Sequence, residues 1–190
     1  MNYLRIMGIC AVLAASSLGI SLSPAVAADA TANAAAADPH QHDFDFEWGT
    51  WKAHLRLLAH RFVGSHDWID YHGTLVVHKL WNGKANISEL EVSNAKSRIE
   101  GGALHLYNPQ THQWNVTFAS SDAGELGVPN VGRFKNGRGV FYDRELYHGR
   151  PILDRWYFTN MSPHSFDFEQ AFSADNGKTW EPNLIINYTR

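Results

Sequence analysis

Two aspartates on either side of the dipeptide His148-Gly149 are the residues whose spacing most directly suggests chemistry. If His148 and Gly149 form a two-residue hairpin turn, the flanking strands pair so that Asp143 faces Asp154. Two opposed carboxylates beside aromatic side chains would raise the pKa of one of them and could divide the roles of general acid and base. Asp143 and Asp154 are therefore candidate catalytic residues. A solvent-facing pair separated by arginines, or a turn one residue longer, are the alternatives.

The same register suggests a candidate ligand-binding site. It places Tyr142 opposite Arg155, and these two side chains could anchor a carboxylate or phenolate ligand inside a cavity. Because successive side chains of a strand point to opposite faces, the Tyr142 pair and the aspartate pair cannot both lie inside. The candidate ligand-binding residues are Tyr142 and Arg155, together with Trp156 and with His105, which shares a strand face with Tyr107.

Glu89, in the stretch "ISELEVS", is a third candidate acid or base. Glu89 and Glu91 alternate with Leu90 along a predicted strand. If the face of Leu90 forms the core, both glutamates are solvated; if the interior is polar, Glu89 is the better candidate for a general base or anchor.

A metal site is not predicted. The stretch "HQHD" places His40, His42 and Asp43 close together, but they lie at the edge of a predicted flexible segment and no further ligand is evident. The sequence also contains no nucleophile elbow, phosphate loop, dinucleotide fingerprint or zinc-protease motif, so no cofactor is predicted.

These residues are carried by a chain with the pattern of an all-β protein. About ten segments show strand-like composition or a two-residue alternation of apolar and polar side chains. They lie at about 50–61, 70–81, 85–93, 100–107, 113–120, 131–135, 138–147, 152–159, 165–173 and 179–189. Turn-forming pairs such as Asn82-Gly83 and Asn136-Gly137 separate several of them. An antiparallel meander of this length avoids exposed edges by closing into a barrel, which can enclose a small ligand.

The beginning of the chain has the features of a secretory signal. Residues 1–27 combine Arg5, an apolar run and a terminal Ala25-Val26-Ala27, which is typical of signal peptidase cleavage. Residues 28–40 are Ala-rich and predict a flexible spacer, and residues 41–190 predict a single barrel domain. We therefore expect a periplasmic or secreted protein with no membrane association after cleavage.

Composition excludes several classes of function. The formal net charge is −3, there is no basic run, and a nucleic-acid partner is therefore not expected. Cys10, the single cysteine, lies in the predicted signal peptide, so the mature chain would have no disulfide and no thiol nucleophile. The seven tryptophans, ten phenylalanines and seven tyrosines favour both β-sheet and an aromatic-lined cavity.

The stretch "FSADNGKTW" matches the Asp-box that recurs in sialidase propellers. A propeller needs several boxes and a much longer chain, so we interpret this one as a hairpin turn. Asp175 is expected to accept backbone N–H groups across the turn, Gly177 to occupy its tip, and Trp180 to fold back against it.

The ends of the predicted barrel resemble those of lipocalins and related calycins. "EWGTW" contains Gly49-x-Trp51, and in lipocalins a Gly-x-Trp opens the first strand. The resemblance implies that Trp51 plugs the closed end of the barrel and that Arg190, at the end of "NLIINYTR", stacks across it.

The chain also resembles a bacterial, mostly exported family of such barrels whose function is unknown. The resemblance rests on "DFDFEWGTW", "GRFKNGRGVFYD", "GRPILDRWYF" and "FSADNGKTWEPN", and it covers about Asp43 to Arg190. The sequence departs from the family pattern by an inserted Glu47 and by Asn176 in place of glycine. The resemblance implies architecture and no particular reaction.

Three functions are compatible with these features. The first is binding of a small, partly apolar molecule in an aromatic-lined cavity. The second is a cofactor-independent isomerase, cyclase or lyase that uses acid–base residues in the same cavity. The third is a protein-interaction module with a filled barrel, which would require an exposed apolar patch.

Overall fold

A computed structural model describes Asp38–Arg190; the predicted signal peptide and residues 28–37 of the predicted spacer lie outside the described residues. The described strands form one closed antiparallel barrel in which each strand pairs with its neighbours along the chain and the last pairs with the first. The strands are β1 (Gly49–Leu58), β2 (Trp68–Leu80), β3 (Ala85–Ser93), β4 (Arg98–Asn108), β5 (Gln113–Ser120), β6 (Asn130–Lys135), β7 (Arg138–Tyr147), β8 (Arg150–Thr159), β9 (Ser165–Ser173) and β10 (Glu181–Thr189). The predicted fold class is confirmed.

Alternation of side chains along each strand places the core inside the barrel. In β1, Trp51, Ala53 and Leu55 are buried, whereas His54 and Arg56 lie on the outer face. Inward and outward residues alternate along each strand. The apolar residues face the barrel interior, where their surface is removed from water. No helix among the described residues is long and apolar enough to span a membrane.

Two short 3₁₀ helices, Pro39–His42 and Asp45–Glu47, precede β1. Phe44, between them, is fully buried and packs against six aromatic rings, those of Phe46, His105, Trp114, Phe134, Phe141 and Phe158. These contacts lie near the start of β1, so the segment preceding β1 fills this end of the barrel.

Asp38–His40, which were predicted to lie in the flexible spacer, also contact the barrel. The indole N–H of Trp114 donates to the carbonyl oxygen of His40 at 2.9 Å, and the Asp38 carboxylate bonds to Tyr107 and His112.

The Gly-x-Trp motif and the last residue form the contact that the lipocalin resemblance implies. The Arg190 guanidinium carbon lies 3.9 Å from the centroid of the Trp51 ring. Arg190 also donates to the carbonyl oxygens of Pro163 and Trp48, each at 2.8 Å. Gly49 has a φ of +106°, and a Cβ there would lie 3.2 Å from Nη1 of Arg190, which explains why glycine occupies this position.

Replacement of Arg190 should therefore weaken this end of the barrel. We expect Arg190→Ala to lower the free energy of unfolding by about 1–2 kcal/mol, because it removes the stacking on Trp51 and two hydrogen bonds. Arg190→Lys keeps the charge but not the planar fork, so it should recover only part of the loss. Urea unfolding followed by tryptophan fluorescence measures both values. Wild-type stability in Arg190→Ala would contradict the expected role.

The stretch "FSADNGKTW" turns the chain from β9 to β10. Asp175 accepts hydrogen bonds from the backbone N–H groups of Lys178 and Thr179, at 3.0 and 2.9 Å. A hydrogen bond from the Thr179 hydroxyl, together with these backbone bonds, holds the pKa of Asp175 well below its usual value. The indole N–H of Trp180 donates to the carbonyl of Gly177 at 3.1 Å, so the tryptophan folds back onto the turn.

Candidate functional site

A cavity of about 290 Å³ lies inside the barrel. Most of its wall is apolar and comes from β1 to β5 and β8 to β10. The lining residues are Glu47, Leu55, Leu57, Leu75, Ser88, Leu90, Ile99, Gly102, Ala103, His105, Val116, Phe118, Trp156, Phe158, Phe168, Gln170, Leu184, Ile186 and Tyr188. Leu57, Ile99, Phe118 and Leu184, towards the end of the barrel away from Phe44, are half-buried. The cavity is therefore more accessible from that end.

Three polar side chains form the floor of the cavity: Glu47, His105 and Tyr188. Each is buried, and Oε2 of Glu47 lies 3.3 Å from Nδ1 of His105. The two atoms are not aligned for a hydrogen bond, and neither has another partner among the described residues. Burial, together with the nearby Glu47 carboxylate, raises the pKa of the Tyr188 hydroxyl, which therefore remains protonated. The floor thus offers polar atoms whose hydrogen-bonding capacity is not used.

The backbone geometry before β1 explains why a glutamate is buried here. The indole N–H of Trp51 donates to the carbonyl oxygen of Glu47 at 2.6 Å. A 3₁₀ turn has about three residues per turn, so Glu47 lies on the same side as Phe44 and points into the barrel with it. Glu47 is a site residue that was not predicted from the sequence. Its insertion in the pattern "DFDFEWGTW" was the available signal.

Two of the predicted ligand-binding residues, His105 and Trp156, line this cavity. His105 is 4% exposed and contributes to the floor, whereas Trp156 contributes to the side wall. Their placement follows from the inward alternation of β4 and β8. Whether they contact a ligand remains a prediction.

The predicted hairpin register is the observed one. His148 and Gly149 form the turn, Tyr142 pairs with Arg155, and Asp143 pairs with Asp154. Both aspartates point into the barrel, where Asp143 is 9% exposed and Asp154 is 2% exposed. Burial raises the pKa of Asp143 to about 8, with a further contribution from the Asp154 charge, and burial raises the pKa of Asp154 to about 7.

The aspartates lie behind the cavity wall. Neither is among the residues that line the cavity, but Trp156 and Gln170, which do line it, each donate to Oδ2 of Asp154 at 2.7 Å. A molecule in the cavity would therefore meet the indole and the amide before the carboxylates. We predicted acid–base residues that contact a cavity ligand directly. Asp143 and Asp154 do not line the cavity, so they do not fit that prediction.

Tyr142 and Arg155 lie on the outer face of the barrel, and the prediction that they anchor a ligand inside is wrong. Tyr142 is 44% exposed. The Arg155 guanidinium stacks on Tyr157 and Trp180, at 4.1 and 4.4 Å from the ring centroids. The physical reason is the two-residue period: with Asp143 and Asp154 inside, their neighbours must point out.

Glu89 is likewise on the outside. Leu90 is 7% exposed and forms part of the core, so Glu89 and Glu91 face solvent, and the interior placement of Glu89 is wrong. The histidines of "HQHD" pair with nearby aspartates: His40 Nδ1 lies 3.1 Å from Asp43. His42 makes the equivalent contact with Asp45.

Comparison with known proteins supports the fold. No family model matches this chain, and no curated protein matches it in sequence. Among solved structures, the barrel is similar to an S-type phycobiliprotein lyase from Guillardia theta, with a TM-score of 0.52 and 10% identity over 77% of this chain and 89% of that one. At this identity the likeness shows the lipocalin-like barrel alone. The resemblance to a bacterial exported family remains a prediction.

Proposed function

We propose that this chain is an exported β-barrel that binds a small, partly apolar molecule, with a polar end of that molecule at the floor formed by Glu47, His105 and Tyr188. The observation that carries the proposal is an apolar cavity ending on buried, unpartnered polar atoms. A buried polar atom without a partner costs about 1–3 kcal/mol, and a ligand that supplies the missing hydrogen bonds recovers this free energy.

The chemistry of the floor favours a particular class of ligand. The Glu47 carboxylate accepts hydrogen bonds, so the polar end of the ligand should carry a donor such as a hydroxyl or amine N–H. The volume of about 290 Å³ suits a compact molecule rather than a long lipid. The remaining wall, including Leu55, Val116 and Phe158, would contact the apolar part.

Native mass spectrometry of the mature protein tests this function directly. The protein should be purified from its own host's periplasm and compared with the denatured mass. A reproducible added mass that is lost on denaturation supports the proposal and identifies the ligand. Recovery of the bare protein mass from the periplasm, together with no binding of an apolar probe by the purified chain, would contradict it.

Filling the cavity should abolish probe binding. N-phenyl-1-naphthylamine is apolar, carries one N–H donor and gains fluorescence in dry surroundings. We expect Ala103→Phe, inside the cavity, to weaken its binding at least tenfold, because the added ring occupies space that the probe needs. Thr117→Phe adds the same ring on the outer face of β5 and should bind like the wild type. Equal loss in both variants would point to a general effect on the barrel.

A second candidate function is acid–base catalysis without a cofactor. The observation that favours it is the Glu47–His105 contact of 3.3 Å within the cavity, since a carboxylate beside an imidazole can relay a proton. The fold likeness to a protein named as a lyase is compatible with it. Once a captured molecule is identified, incubation with the protein followed by NMR separates the two functions. Chemical change with the wild type but not with His105→Gln supports catalysis, and unchanged recovery supports binding alone.

A further inference from the structure

A cluster of three carboxylates lies on β7 and β8, and none of its residues lines the cavity. Asp143, Glu145 and Asp154 each offer one carboxylate oxygen, and these atoms lie within 4.8 Å of one another. Asp143 and Asp154 are buried and Glu145 is half-buried. Three negative charges at this separation repel each other strongly unless a cation or protons neutralise them.

The hydrogen bonds of the two aspartates divide their oxygens into two kinds. In each aspartate Oδ2 accepts from protein donors: Asn130 bonds to Asp143 at 2.9 Å, and Trp156 and Gln170 bond to Asp154 at 2.7 Å. In each, Oδ1 is buried and has no partner among the described residues. Metal-binding carboxylates are held in this manner, with one oxygen fixed by surrounding donors and the other free to bind.

The buried side chain of Asn130 is a second observation that points to a ligand at this cluster. Its side chain is 1% exposed, its Nδ2 donates to Asp143, and its Oδ1 has no partner. Because both atoms belong to one planar amide, the unpartnered oxygen is adjacent to the nitrogen that bonds to Asp143. An amide oxygen is a ligand for hard cations and cannot be satisfied by the neighbouring carboxylates unless they are protonated.

We propose that Asp143, Glu145, Asp154 and Asn130 form a binding site for a hard divalent cation, and that Ca²⁺ is the cation that fits it. The ligand atoms are all oxygens, which Ca²⁺ and Mg²⁺ prefer. The three carboxylate oxygens lie up to 4.8 Å apart, which fits within the ~5 Å between opposite oxygens around Ca²⁺. Mg²⁺ commonly uses only one or two carboxylates, whereas Ca²⁺ accepts more.

The charge at the site also matches a divalent ion. Arg61, in the connection between β1 and β2, acts electrostatically on Glu145, and its guanidinium stacks on Tyr147 and Phe172 at 5.5 and 5.6 Å. When a cation binds and the three carboxyls lose their protons, they leave two net negative charges beside the Arg61 guanidinium, which one divalent cation neutralises. This site is distinct from the cavity, since none of its four proposed ligand residues lines the cavity.

Calcium titration of the mature chain tests the proposal. After removal of metal with EDTA, isothermal titration should give one Ca²⁺ per chain, and Ca²⁺ at 100 times its dissociation constant should raise Tm by about 5 °C or more. Asp154→Asn should weaken Ca²⁺ binding at least tenfold. Glu100→Gln, which changes an exposed carboxylate paired with Arg98, is the matched control and should bind like the wild type.

Terbium luminescence tests the wild-type protein itself, so the result does not depend on whether the variant folds. Tb³⁺ bound beside Asp154 would be excited through Trp156, whose N–H bonds to that carboxylate, and Ca²⁺ should displace it. Absence of both a Ca²⁺ titration signal and tryptophan-sensitised Tb³⁺ luminescence in the wild type would overturn the proposal. Equal Ca²⁺ affinity in folded Asp154→Asn would overturn it as well.

Discussion

Phe44→Ala should lower the free energy of unfolding by about 3–5 kcal/mol. Phe44 is fully buried and contacts six aromatic rings, among them Trp114 and Phe141 at centroid distances of 5.0 and 5.6 Å. Removal of its ring leaves a cavity that rigid strands on several sides cannot close. This loss is a large part of the 5–15 kcal/mol by which most domains are stable. Urea unfolding followed by far-UV circular dichroism measures it.

Phe46→Ala provides the matched control for this prediction. Phe46 lies two residues away in the same segment, but it is only partly buried. Its replacement should cost clearly less than that of Phe44. If the two variants lost equal stability, Phe44 would not be the central residue of this end of the barrel, and the segment before β1 would stabilise the protein in another way.

Raising the pH from about 4 to about 9 in EDTA should destabilise the metal-free protein by several kcal/mol, because each unit by which folding raises a carboxyl pKa corresponds to about 1.4 kcal/mol. Burial raises the pKa of Asp143 to about 8 and that of Asp154 to about 7 in the folded chain. In the unfolded chain both carboxyls lose their protons near pH 4, so between pH 4 and 8 unfolding releases protons and is favoured as pH rises. Burial also raises the pKa of Glu145, and the Arg61 charge opposes that increase.

The double variant Asp143→Asn, Asp154→Asn identifies the source of this pH dependence. The amides keep the shape of the carboxyls but do not ionise, so the stability of the variant should fall much less between pH 4 and 9, and Glu145 should cause the remaining decrease. Glu100→Gln should retain the wild-type profile. Chemical denaturation at a series of pH values provides the measurement. An unchanged slope in the double variant would show that other groups cause the dependence.

Much of the barrel could be predicted because its signals are local. Asn-Gly and His-Gly pairs adopt positive φ with little strain, and both His148 and Gly149 do so, at 50° and 78°. A two-residue turn then determines the register of the whole hairpin, including Asp143 opposite Asp154. The two-residue alternation of β1 likewise explains why Trp51 and Leu55 point inward.

The inner face of β7 and β8 could not be predicted locally, because polar residues occur on both faces. The face with Asp143 also carries Phe141 and Ile152, which are 0% and 4% exposed, and burial of these apolar side chains brings the aspartates inside. Glu47 was missed for a different reason. The segment before β1 forms 3₁₀ turns, and its inward face follows a three-residue period rather than the two-residue period of a strand.

Closure of the barrel between its first and last strands delays folding. Lys52 pairs with Thr189, so the contact that completes the sheet joins nearly opposite ends of the described chain. Such distant pairing is slow to form, and until β10 is available both β1 and β9 present unpaired edges. A nascent chain emerging from the ribosome therefore cannot complete the barrel before its last strand is synthesised. For an exported chain, as proposed here, this delay would favour passage across the membrane before the barrel is complete.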